Sequence, residues 1–186
     1  MWIGVPGISL ISALEAQRKW LCRRAAEKEM SANGNIALFC DLVGTLVAMD
    51  ETRQLPLDAG GEVKIELLPR VKEMLTPMRD HLIFVVTNQA GIKRGRLTLP
   101  QVESALHELD AALGGILTGW QICPHDNDDC CQCRKPRAGM ITELAVIHGV
   151  DLGASTMVGD QTSDAAAARN AGLGSFVYAR DFFGWQ

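Results

Sequence analysis

The sequence has no apolar run long enough to cross a membrane. Trp2 to Leu14 is the longest such stretch near the start, and Gly4, Pro6 and Gly7 interrupt it. No basic segment precedes it, so a secretory signal peptide is not expected. An excess of positive charge is missing as well. The net charge of −4 and the pI near 5.5 give no general electrostatic footprint for nucleic acid. Internal repeats and low-complexity tracts are also lacking. What remains is a soluble cytoplasmic protein with no membrane partner. At 186 residues, 47% hydrophobic and 22% charged, it has the size and composition of one domain with its own core.

Strand and helix signals alternate along most of the chain. Ser9 to Met30 has helix-forming composition, with Leu10, Leu14 and Leu21 at roughly helical spacing. It lies within an N-terminal helical extension, residues 1–35, suited to docking on the core, on a protein partner or on a second copy. "SANGN" (Ser31–Asn35) then breaks the chain. Residues 36–186 form the main domain. "IALFC", "HLIFVV", "GWQIC", "STMVGD" and "SFVYA" read as five strands, the first two with the continuous apolar pattern of burial on both faces. Helices are predicted over Leu67–Arg79, from Thr98 to Gly114, over Met140–His148 and over Ser163–Ala171, with a polar loop at Ala48–Lys64. This order predicts an α/β fold, a doubly wound parallel sheet with helices on both faces. Right-handed crossovers then open all strand C-terminal ends on one edge, where ligands bind. Asp41, Thr87, Cys123 and Asp160 all fall there.

The chemistry starts at "FCDLVGTLV" (Phe39–Val47). A lone acid after a strand can be an ordinary loop residue, but Gly44 permits a tight turn and Thr45 offers a hydroxyl and an amide to an anion. A carboxylate placed like Asp41 can attack phosphorus and form an aspartyl-phosphate. Because anions repel, it needs a cation. "GDQTSD" supplies Asp160 and Asp164; Asp160 and Asp41 can share one Mg²⁺, whereas helix capping alone is the alternative use of this pair. "VTNQAGIKRG" brings Thr87 and Asn88 to a strand end, with Lys93, Arg94 and Arg96 behind them. Thr87 can donate to a phosphoryl oxygen, and the basic residues suit a phosphate. "RKP" adds Arg134 and Lys135, and a lysine beside the nucleophile neutralises charge on the transferring group.

Four of the six cysteines crowd between Cys123 and Cys133. In a chain without an export signal this points to metal rather than to a disulfide framework. "CPHDNDDCCQC" gives a C-x-H pair, Cys123 and His125, and a C-x-C pair, Cys131 and Cys133. Three thiolates and an imidazole make a closed tetrahedral Zn²⁺ site of structural type. Cys130 can compete with Cys131, whose spacing to Cys133 is the better one. The alternative is a set of buried thiols with a surface histidine. A zinc here fixes the loop that leads into Arg134 and Lys135.

Together these motifs resemble the haloacid dehalogenase (HAD) superfamily from Ile36 almost to the C-terminus. "TNQAGIKRG" and "CPH…CQCRKPRAGM" are similar to its branch of histidinol-phosphate and heptose-bisphosphate phosphatases. The resemblance implies a Rossmann-like fold with little or no cap, Mg²⁺ dependence and a zinc-stabilised loop. It further implies Asp41 as nucleophile, Thr87 and Lys135 in the phosphate site, and Asp41, Asp160 and the Val43 carbonyl around Mg²⁺. Asp164 supports Lys135 or the metal shell, and Asn88, Arg94 and Arg134 face substrate. The departure is Val43, where the family pattern has a second aspartate that protonates the leaving oxygen and later activates water. Superfamily members whose leaving groups need little or no protonation also lack it.

The expectation is therefore a Mg²⁺-dependent phosphohydrolase of a small phosphorylated metabolite, such as a sugar phosphate, with altered acid–base catalysis. Two other readings are a non-catalytic phosphate-binding or regulatory protein, favoured by Val43, and a polynucleotide 3′-phosphatase, whose branch shares "TNQAGI".

Overall fold

The computed structural model describes residues 34–185. Of the expected N-terminal extension only Gly34 and Asn35 fall within that range. The helix expected over Ser9–Met30, and any partner surface on it, lies outside the described residues.

The five expected strands all form: β1 (Ala37–Cys40), β2 (Leu82–Asn88), β3 (Gly119–Cys123), β4 (Thr156–Gly159) and β5 (Ser175–Tyr178). They make one parallel sheet in the order β3-β2-β1-β4-β5. The chain thus builds outward from β1 on one side, then returns to build on the other. That reversal opens a crevice beyond the ends of β1 and β4, the usual ligand position in such sheets.

Side chains alternate across the sheet with period two and feed two cores. Leu38, Cys40, Ile83 and Val85 pack on one face with α1 (Val71–Leu75), α2 (Leu99–Leu113) and α5 (Ala179–Phe183). Ala37, Phe39, Phe84 and Val86 pack on the other with α3 (Gly139–His148) and α4 (Thr162–Ala171). Phe39 stacks on Phe84 with ring centroids 5.3 Å apart. This is a Rossmann-like doubly wound sheet. Between β1 and β2 there is a folded-back strap over Ala48–Lys64 and no cap domain.

Most boundaries match the sequence signals. Thr98 and Gln101 form the expected capping box at α2, and Gly149 and Gly172 end α3 and α4 in left-handed conformations. The helix expected from Leu67 instead starts at Val71. Leu67 pairs with Val47, and Leu68 precedes Pro69, a position biased against helical backbone. A 3-10 turn over Thr76–Met78 completes that segment. The five-residue α5 was not expected; it is too short to show helical periodicity. Among the described residues, no helix is long and apolar enough to cross a membrane.

Candidate active site and metal centre

Three strand ends deliver the site. Asp41 follows β1, Thr87 is near the end of β2, and Asp160 follows β4. All line a cleft of about 210 Å³, smaller than the usual drug-sized pocket and suited to a small polar ligand. A larger, apolar cavity of about 560 Å³ lies beyond Gly44 and Asp160, lined by Met49, Leu68, Tyr178 and Trp185. Asp160 is the one carboxylate it shares with the cleft.

At the floor of the cleft Lys135 is almost fully buried, as are Asp41 and Asp164. Its ammonium pairs with Asp41 Oδ1, lies 2.7 Å from Asp164 Oδ1 and donates to the Val86 carbonyl at 2.9 Å. Burial alone disfavours a charged lysine, but the two carboxylates outweigh it and hold Lys135 as ammonium, its pKa raised. Burial pushes the Asp41 carboxyl up to about 7; Lys135 opposes that shift, and Asp164 and Asp160 add to it. Two glycines let the acids gather. Gly44 has φ +79°, and a Cβ there would lie 2.8 Å from Asp160 Oδ2. A Cβ on Gly159 would lie 2.5 Å from Asp164 Cβ.

Asp41, Asp160 and Asp164 bring their oxygens within 4.8 Å of one another. Two cationic side chains, Lys135 and Arg53, face these three acids, so negative charge remains uncompensated. Asp160 Oδ1 is buried without a hydrogen-bond partner. A hard cation with oxygen ligands fits that donor set.

The cysteine loop follows β3. Cys123, His125, Cys131 and Cys133 place one ligand atom each within 4.8 Å of the others. Cys133 Sγ is 3.2 Å from both Cys123 Sγ and His125 Nδ1, and Cys123 Sγ is 3.7 Å from Cys131 Sγ and from His125 Nδ1. Ligands about 2.0–2.3 Å from a tetrahedral Zn²⁺ stand roughly 3.5–3.8 Å apart, so the two 3.7 Å separations fit that ion and the two at 3.2 Å fall a few tenths of an ångström short of it. Burial and the neighbouring Cys133 push the Cys123 thiol up, and a cation reverses that preference. Cys130 is exposed, in a left-handed conformation at the end of the Asn127–Asp129 turn, and lies outside the cluster.

Known proteins resemble this chain in sequence and fold. The HAD-hydrolase-like family model matches residues 132–184. A D-glycero-β-D-manno-heptose-1,7-bisphosphate 7-phosphatase of Salmonella typhi is 31% identical over 149 residues, 72% of this chain and 79% of that protein. The chain belongs to the HAD-like hydrolases. A protein of the same name from Bordetella bronchiseptica is 38% identical over 101 residues, 53% of this chain and 56% of that one. This chain spans about half the length of the first curated relatives it matches, 56% and 51%. The crystal structure of the B. bronchiseptica D,D-heptose 1,7-bisphosphate phosphatase, complexed with magnesium and phosphate, has a TM-score of 0.66 at 28% identity. That comparison covers 75% of this chain and 78% of that one.

Several of the expected site residues are engaged by neighbouring groups, and Asn88, Arg94 and Arg134 among them still line the cleft. Thr45, expected to meet a bound anion, is fully buried, and its hydroxyl points to Asp41 Oδ2 at 3.4 Å. The turn after Asp41 closes on the Leu42 carbonyl and draws Thr45 under the acid. Asn88, expected to face substrate, spends its amide on the Lys135 backbone, accepting from the nitrogen at 2.9 Å and donating to the carbonyl at 3.0 Å. Arg96 turns away from the phosphate site to Asp50. Arg94 lines the cleft but is held in a bidentate pair with Asp126 at 2.6 and 2.7 Å. That pairing holds the Asp126 carboxyl down at about 2. Arg134 also lines the cleft, donating to Asn127 Oδ1 at 2.8 Å and to the His125 carbonyl at 3.1 Å. The cysteine loop therefore grips both arginines.

Two cleft residues carried no strong sequence signal. Buried Gln89 donates to the Thr87 hydroxyl at 2.9 Å, leaving the Thr87 proton free to point at a ligand. Arg53 reaches in from the strap. Val43 lies on the cleft wall and packs against the core.

Proposed function

We propose that this HAD-like hydrolase is a Mg²⁺-dependent phosphohydrolase of a small phosphorylated metabolite such as a sugar phosphate. Asp41 is the nucleophile. The observation that carries this reading is the buried Asp41–Lys135–Asp164 array opening on Asp160, whose Oδ1 has no partner. Asp41, Asp160 and the Val43 carbonyl hold the Mg²⁺, which when bound offsets the charge of the entering phosphate. Lys135 neutralises the transferring phosphoryl group, and Thr87 donates to one of its oxygens. Asp41 carboxylate attacks phosphorus, the ester oxygen leaves, and water later releases phosphate from the aspartyl-phosphate. Arg94 and Arg134 keep spare N–H donors toward the cleft for the rest of the substrate. The sugar-phosphate class is supported by the names of the relatives.

Val43 gives the reading its particular form. Valine supplies neither the proton for the leaving oxygen nor the base for the water. Aryl and acyl phosphates, whose leaving groups depart as stable anions, are the expected good substrates, and simple alkyl phosphates the poor ones. A panel of the three classes, assayed with Mg²⁺ and with chelator, checks this. Turnover that survives the chelator, or alkyl rates equal to aryl rates, contradicts it. Val43 also favours a second reading, a phosphate-binding protein without turnover, which binding of vanadate with no hydrolysis of any ester would support.

Zn²⁺ completes the proposal as a structural ion on Cys123, His125, Cys131 and Cys133. Purified protein is expected to hold about one zinc per chain. Cys133→Ser is expected to lose it and to melt at lower temperature, because metal binding contributes folding energy. Cys130→Ser is expected to keep both zinc and stability. Elemental analysis with thermal melts decides, and the reverse pattern contradicts the ligand assignment.

A further inference from the structure

The strap has a built tip. Asp50 Oδ1 accepts from the Thr52 amide at 2.8 Å, the Thr52 hydroxyl at 2.7 Å and the Gln54 amide at 3.0 Å. Its Oδ2 accepts from Arg96 at 2.5 Å, and Arg96 also reaches the Leu55 carbonyl at 3.0 Å. The Arg53 amide closes the turn on the Asp50 carbonyl at 2.9 Å. These bonds hold Arg53 at φ +61°, a left-handed conformation that is uncommon for a residue with a long side chain. Such a conformation persists only where its surroundings enforce it, and it points to a role for the side chain.

That side chain crosses to Asp160. Its guanidinium lies 2.5 Å from Asp160 Oδ2, an oxygen that also accepts from Gln161 Nε2 at 2.5 Å. The second oxygen of Asp160 is the unpartnered one. Arg53 is about half exposed and gives up little burial on moving.

We propose that Arg53 is a tethered cation exchanged between Asp160 and substrate: it holds Asp160 until a divalent cation takes that carboxylate, then turns to an anionic group of the substrate. The inference rests on the reading of Asp160 as a cation ligand. A guanidinium on one carboxylate oxygen and a divalent ion on the other stand a few ångströms apart and repel. Each therefore weakens the other, by the same factor. The Asp50 turn keeps the displaced Arg53 at the mouth, where Thr52 and Gln54 also line the cleft. There it presents N–H donors and a permanent charge but no transferable proton. It can thus stabilise an anionic leaving oxygen or a second anionic group electrostatically, in a cleft where Val43 offers no acid.

Calorimetric titration of the native chain, Arg53→Asn and Arg53→Lys with Mg²⁺, and then with inorganic phosphate at saturating Mg²⁺, tests this. Asparagine tolerates the left-handed backbone, so the tip is kept while the charge is lost. Arg53→Asn is expected to bind Mg²⁺ about tenfold more tightly and, once loaded, phosphate about tenfold more weakly. Arg53→Lys, which keeps the charge, is expected to stay close to native in both. Unchanged or weaker Mg²⁺ binding by Arg53→Asn, against a measurable native affinity, overturns the assignment of Arg53 alone. No Mg²⁺ binding by any of the three overturns the metal site itself.

Discussion

Val43→Asp is expected to raise hydrolysis of simple alkyl phosphates by on the order of 10²–10⁴, with aryl phosphates changing far less. The reason lies in the inventory of the cleft. Its lysine is committed to two carboxylates, its arginines do not titrate, its threonine and serine hydroxyls are poor acids, and its three carboxyl groups are taken, in the proposed reading, as nucleophile, lysine partner and cation ligand. An alkoxide leaving group therefore finds no proton in the native cleft, whereas a nitrophenolate needs none. Position 43 is on the cleft wall, so a new carboxylate there faces ligand. The native valine also packs against the core, and its replacement costs part of that contact. Thermal melts separate that cost from the catalytic gain. Steady-state rates on matched alkyl and aryl esters give the answer. Equal native rates on both classes would mean that another group supplies the proton.

Lys135→Met is expected to lose both stability and turnover. The native ammonium is 3% exposed and bridges Asp41 and Asp164. Removing it leaves two buried carboxylates facing each other with Asp160 nearby, the situation that costs about 3–5 kcal/mol when one member of a buried ion pair is deleted. Turnover is expected to fall by on the order of 10²–10³, the effect of removing one preorganised donor to the reacting group. Mg²⁺ is expected to raise the melting temperature of the variant more than that of the native chain, since it offsets the same negative charge. Denaturant unfolding and single-turnover rates check these outcomes. A variant as stable and active as native would place Lys135 outside the reacting group.

Strands and most helices were legible because apolar runs, a capping box and terminal glycines are local signals. The start of α1 was not, since the pairing of Leu67 with Val47 is a tertiary event. The site divides in the same way. Asp41, Thr87, Lys135, Asp160, Asp164 and the cysteine-loop residues Cys123, His125, Cys131 and Cys133 sit in compact motifs, and the structure brings them together as two clusters. Thr45 and Asn88 stand in those same motifs, yet Thr45 is buried beneath Asp41, and Asn88, which lines the cleft, commits its amide to the Lys135 backbone. Residue type and spacing cannot distinguish a group that touches a ligand from one that holds its neighbour. Arg53 was hidden for another reason: the strap has no periodicity, and its reach to Asp160 spans 107 positions in sequence.

The nucleophilic role of Asp41 is the centre of the account, and rapid-quench mass spectrometry tests it most directly. The native chain is mixed with an aryl or acyl phosphate and Mg²⁺, quenched in acid and digested. Because Val43 leaves the second step without its base, phosphorylated Asp41 is expected to accumulate and to appear as a phosphoryl mass shift on the peptide carrying it. Asp41→Asn is expected to show neither the shift nor turnover. Turnover by native protein with no phosphorylated peptide at any quench time, or undiminished turnover by Asp41→Asn, would contradict the account.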